Sequence, residues 1–133
     1  MIVVDENIHS REIMASIAAW YRGQVISITG LRPRSVIHDD AIPGLLQTLD
    51  RPTFVTTNVD DFWMIVPAHS GYCFVCFHIP KERNRETPVL LRRLLTRPEF
   101  RTKALRMGKV IRVSADAVQY YADKTRRPTE IQL

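Results

Sequence analysis

Two hydrophobic periods run through the chain, and their order predicts its elements. Ile2-Val3-Val4 opens an apolar run over residues 2–5 that reads as a buried strand. Residues 10–21, SREIMASIAAWY, place Ile13, Ile17 and Trp20 or Tyr21 at helical spacing, and Ser10 is available as the cap. Residues 24–28 predict a second strand, and 30–35, rich in Gly, Pro and Arg, a loop. A helix is expected from Asp39 or Asp40 to Leu49. Asp39 can cap it, and Pro43 is tolerated in its first turn because the amide there has no helical partner. Residues 53–57 and 71–79 predict a third and a fourth strand. Strand–helix alternation of this kind implies a mostly parallel sheet with helices packed on it.

The second half is less regular. Thr87-Pro88 reads as a helix start, with Thr87 as cap and Pro88 at the first helical position. Leu90, Leu91, Leu94 and Leu95 then form an apolar stripe, with Arg92, Arg93 and Arg97 beside or opposite it. Such a stripe can serve a homodimer or the core. Pro98 is expected to open a further helical stretch to about Met107, stopped by Gly108. Residues 109–113 read as a strand, while 117–121 fit either a hairpin partner or a short helix. The tail from Lys124 is expected to fray. No internal repeat or linker breaks the 133 residues, which predict one domain over 1–133.

A composition of 45% hydrophobic and 25% charged residues is that of an ordinary globular domain. No run approaches the length of a membrane span, so no membrane partner is expected. The N-terminal run lacks the basic flank of a signal peptide, which predicts a cytoplasmic location. Cys73 and Cys76, in YCFVCFHI, have metal-like spacing. On a strand, however, residues three apart face opposite sides, so these thiols read as core cysteines of a reduced compartment.

Charge divides the chain. Residues 1–80 hold 5 Lys/Arg and 8 Asp/Glu, whereas residues 81–133 hold 14 Lys/Arg and 6 Asp/Glu. The acidic part is not evenly acidic. In a parallel sheet, loops leaving the carboxyl ends of the strands gather at one rim. The first strand delivers Asp5, Glu6 and Asn7 there, and the third delivers Asn58, Asp60 and Asp61. The helix running back toward the third strand brings Asp39 and Asp40. Only Glu12 and Asp50 lie outside these groups among the first 80 residues. Local readings compete at several positions: Asp39 as a helix cap, Asp60 as a solvated turn residue, Asn7 and Asn58 as turn formers. Glu6 points away from Asp5 if the first strand continues past it.

Gathered carboxylates suit a hard divalent cation, Mg2+ or Mn2+, which takes one or two of them and keeps several waters. Such an ion activates a water and offsets charge on a phosphate. The basic half, with Arg85, Arg92, Arg93 and Arg97 as candidate nucleic-acid contacts, supplies a surface for a polyanion. Acids and basic flank together suggest a metal-dependent nuclease.

The order VVDEN, HDDAI, VTTNVDDF over residues 2–79 resembles PIN-domain proteins, including VapBC-type toxin ribonucleases and the compact PIN-like proteins related to them. Asp5-Glu6-Asn7 matches the D-T-N or D-E-N after the first strand, Asp40-Ala41 the Asp-Ala at a helix start, and Thr56 to Phe62 the T-x-N-x-x-D-F. The resemblance implies a three-layer α/β/α fold and Mg2+- or Mn2+-dependent cleavage of RNA. Asp5, Asp40 and Asp61 would be the catalytic, metal-holding acids, supported by Asn7, Asn58, Asp39, Asp60 and Glu6. An antitoxin protein and a homodimer are the partners it implies besides RNA. Only Glu6 and Glu12 stand in the interval where the family commonly carries a further acid. The alternative is a PIN-like module that binds nucleic acid or a partner without cleaving.

Overall fold

A computed structural model describes residues 1–33 and 35–133; Arg34, within the loop expected over 30–35, lies outside the described residues. Seven strands from both halves of the chain join one sheet. They are β1 (Ile2–Val4), β2 (Val25–Ser27), β3 (Thr53–Thr56), β4 (Cys73–Phe77), β5 (Val110–Val113), β6 (Ala117–Tyr121) and β7 (Thr129–Gln132). Their spatial order is β2-β1-β3-β4-β5-β6-β7. The first five run parallel, and β6 and β7 add antiparallel hairpin strands. The chain therefore turns back across β1, and the order reverses between β1 and β3. In a doubly wound sheet, a crevice opens at such a point above the carboxyl ends of the strands.

Helices cover both faces, giving the three-layer α/β/α fold. On one face, α1 (Arg11–Ala18) and α5 (Thr87–Leu95) pack Ile13, Ile17, Leu91 and Leu94 against Val4, Val55, Val75 and Ile111. On the other, α3 (Ile42–Gln47) and α4 (Val59–Phe62) pack Ile42, Leu46 and Phe62 against Val3, Phe54 and Phe74. Cys73 belongs to the first layer and Cys76 to the second, as strand alternation requires. Both are buried free thiols. The leucine stripe goes inward too: Leu91, Leu94 and Leu95 are core residues, so α5 does not offer them to a second copy.

Several local expectations change. Ser10 caps α1 as expected, its Oγ accepting the Ile13 N–H at 3.0 Å, but the helix ends at Ala18. Part of the loop expected over 30–35 is a helical turn, α2 (Ile28–Leu31), whose Gly30 N–H is accepted by Ser27 Oγ. Asp39 caps no helix: His38 holds the cap position, and Asp39–Ala41 form a 3-10 turn leading into α3. Thr87 is likewise inside its helix rather than capping it, because the 3-10 turn Lys81–Glu86 runs directly into α5. The stretch after Pro98 is helical only over α6 (Lys103–Arg106), capped by Thr102, and Gly108 then turns the chain at φ 88°. The segment 117–121 is the hairpin strand β6. The tail does not fray but pairs with β6 as β7, with Ile131 against the core. Among the described residues, no helix is long and apolar enough to cross a membrane.

Candidate functional site

The crevice is floored by Asp5. Its backbone N–H still bonds to Val55 O at 2.9 Å, but β1 has ended, and Asp5 caps the 3-10 turn Glu6–Ile8. Asp5 Oδ1 accepts the Glu6 N–H at 2.8 Å, and Oδ2 accepts the Thr56 hydroxyl at 2.7 Å. The residue is only 4% exposed. Burial pushes its carboxyl above the ordinary range; the two hydrogen bonds oppose that shift, and the negative charges of Glu6 and Asp61 add to it.

Thr56 is fully buried and works in both directions, since its Oγ1 also accepts the Asn58 N–H at 2.9 Å. Asn58 Nδ2 in turn donates to Asp61 Oδ2. One hydroxyl and one amide thus tie Asp5 to Asp61. Phe62 anchors that end: it is fully buried, with ring centroids 5.6 Å from both Phe54 and Phe74. Asp60, on the same turn, is exposed and faces a separate cavity of about 150 Å³ with Asn58 and His78. Asn7 Nδ2 donates to Thr57 Oγ1 at 2.9 Å, and Asn84 Nδ2 donates to the Asn7 carbonyl, so Asn7 and Asn84 brace the loops.

The third acidic segment contributes differently from its motif. Asp39 is the member that reaches the others. Asp39 is exposed, as Asp40 is, yet partial loss of solvation raises its carboxyl first, then the Asp61 carboxylate within hydrogen-bonding reach, then the charges of Asp5, Asp61 and Glu6. Asp39 stands between two cavities. One, of about 130 Å³, is lined by Asp5, Glu6 and Thr29; the other, of about 360 Å³, by Asp40 and Asp61. Asp40 is exposed on the wall of the second. Glu6 also changes place. Because the strand stops at Val4, alternation no longer applies, and the turn brings Glu6 to the same cavity as Asp5.

Among the described residues, none of these rim acids forms an ion pair. Nor do three described His, Cys, Asp or Glu side chains form a ready-made cage for a cation. The donor set is all oxygen, and Asp5 keeps lone pairs beyond the two it uses. It fits a hard cation that binds through one or two carboxylates and its own waters.

The basic residues divide. Arg85 is exposed on the turn whose Asn84 reaches Asn7, beside the rim. Arg92 and Arg93 line a cleft of about 420 Å³ between α1 and α5, with Ser16 and Trp20, on the opposite face from α3 and α4. Arg97 pairs with Glu99. One other basic residue reaches the acidic side unforeseen. Arg112 of β5 donates Nη2 to His78 Nδ1 at 2.9 Å and Nη1 to Gln119 Oε1 at 3.1 Å. The signal for Arg112 was a charged residue inside the apolar run VIRV; Thr56, a hydroxyl in the buried run TFVT, carried a similar one.

No family model, no curated protein and no solved structure matches the chain.

Proposed function

We propose that this protein is a divalent-metal-dependent endoribonuclease with a PIN-like active site. The observation that supports the reading best is that Asp5, Asp39 and Asp61, from three separate segments, line two adjoining cavities that share Asp39, at the point where the strand order reverses. Isolated carboxylates repel one another, and a crevice that collects them with no ion-pair partner among the described residues favours a positive ligand.

Asp5, Asp61 and Asp39 would hold Mg2+ or Mn2+, which supplies a water of lowered pKa and charge directed at a phosphodiester. Thr56 and Asn58 fix the carboxylates of Asp5 and Asp61 in place, which is how groups behind a metal ligand set its orientation. Glu6 adds a further acid at the mouth of the cavity it shares with Asp5, and Asp40 and Asn7 border the approach. RNA is the substrate class that the PIN-like resemblance of the three motifs implies.

A module that binds RNA without cutting it is the second reading, favoured by the lack of a preassembled three-ligand cage among the described residues. Incubating labelled RNA with purified protein and Mn2+ separates the two. The nuclease reading expects cleavage that disappears with Asp5→Asn. Cleavage that survives the substitution, or fails with every divalent metal tried, overturns it.

A further inference from the structure

A row of paired residues crosses the sheet near its carboxyl edge: Thr56 of β3, Cys76 of β4, Arg112 of β5 and Gln119 of β6. Paired residues in neighbouring strands project to the same face. That face carries α3 and α4, since Cys76 belongs to their core cluster. The row starts at Thr56, which holds Asp5, and two strands further on it reaches a guanidinium. Two strand spacings are about 10 Å.

Arg112 is half-buried, and a charge in that position needs compensation. Its two hydrogen-bond acceptors are both neutral: the Gln119 amide oxygen and the His78 ring nitrogen. Among the described residues it has no carboxylate partner. Neutral acceptors on either side fix the plane of a guanidinium without cancelling its charge. Its remaining N–H donors then stay available for two-pronged recognition of an anion. His78 extends the feature toward the acids, because it lines the small cavity shared with Asn58 and Asp60, just across α4 from Asp61. Arg92 and Arg93 of α5 and Arg97 just after it, which would otherwise be the obvious anion contacts, lie on the other side of the sheet.

We infer that Arg112, clamped between His78 and Gln119, anchors a backbone phosphate of single-stranded RNA as the strand runs along the rim from the acidic crevice. This rests on the nuclease reading for the choice of RNA, but it concerns binding and not the chemical step. The phosphate it grips is not the one held at the carboxylates. Two strands of separation place it further along the same chain of nucleotides. Arg112 is thus a positioning residue, setting where the RNA lies in the crevice.

The test is fluorescence anisotropy with a short labelled single-stranded RNA, in EDTA so that binding alone is read. Arg112→Gln should weaken binding about tenfold and lower the slope of log affinity against log salt by about one, the signature of a lost phosphate contact. Arg112→Lys should restore part of the affinity, because it returns the charge without the fork. Arg101→Gln, on an exposed turn after α5, should change little. Wild-type affinity and salt slope in Arg112→Gln, or an equal loss in Arg101→Gln, overturns the inference. Should Arg112→Gln fail to fold, Arg112→Lys and His78→Ala decide: weaker binding in both supports the clamp, and unchanged binding in both overturns it. Cleavage assays keep the two proposals apart. RNA bound with this Arg112 dependence but never cut with Mn2+ removes the nuclease and leaves the clamp. Asp61-dependent cutting with an unchanged KM in Arg112→Gln removes the clamp and leaves the nuclease.

Discussion

Thr56 donates its hydroxyl to Asp5 Oδ2 at 2.7 Å, joining the end of β3 to the end of β1 where the strand order reverses. Neither residue is free to relax: Asp5 is 4% exposed and Thr56 is fully buried. Thr56→Val keeps the shape and removes the donor, leaving a buried carboxylate short of one partner. The expected cost is about 1–3 kcal/mol of stability. Activity should fall by about 10–100-fold, as is usual when a group that orients a metal ligand is lost. Chemical denaturation and RNA cleavage measured on one preparation check both.

The neighbouring acids of α4 should behave differently. Asp61 accepts from Asn58 and meets Asp39, whereas Asp60 faces the other cavity. Asp61→Ala is expected to abolish cleavage, and Asp60→Ala to leave most of it. Equal losses in the two variants, with folding intact by circular dichroism, would contradict this division.

Stability should depend on pH through the crevice. Asp5 and Asp39 are both held above the ordinary carboxylate range, chiefly by burial. Between the unfolded and folded values, the folded chain keeps protons that the unfolded chain has released. Their contribution is therefore fully present below the unfolded carboxylate range and is lost as pH rises through the raised folded values. Without divalent metal, Tm should fall from mildly acidic to neutral pH, and Asp39→Asn should flatten that fall. Mg2+ or Mn2+ should raise Tm again at neutral pH, adding about 2.7 kcal/mol of stability at a hundredfold excess over Kd. The metal effect should vanish in Asp61→Ala.

Phe62 carries the position of Asp61 into the core. It is fully buried against Phe54 and Phe74, so Phe62→Ala should cost about 3–5 kcal/mol. Phe62→Leu should cost less and return part of the activity. A melt and a cleavage assay on the pair test whether packing places the carboxylate.

The cysteines should be chemically silent. Burial raises the Cys73 thiol to about 12 and shifts Cys76 upward as well. A thiol reagent at pH 8 should modify neither in the folded protein and both after denaturation. Modification of the native protein at the rate of a free thiol would show that the sheet opens there.

Much of this protein follows from local sequence. The five parallel strands, the Ser10 cap and the opposite placement of Cys73 and Cys76 all depend on periods of two or 3.6 residues and on caps that act within one turn. The three acidic segments were legible for the same reason, since loops after parallel strands share an edge. Local signals did not distinguish Asp39 from Asp40. That choice turns on a 3-10 turn ahead of α3, which aims Asp39 at Asp61. Glu6 depended on β1 stopping one residue before Asp5 caps a new turn. The tail became β7 because β6 offers it an open edge, and Ile131 finds the core only through that pairing. Arg112, His78 and Gln119 meet because β4, β5 and β6 are neighbours in a fixed register. Period and capping act over a few residues and can be read along the chain. Register between strands joins positions far apart in sequence, and only the folded sheet decides it.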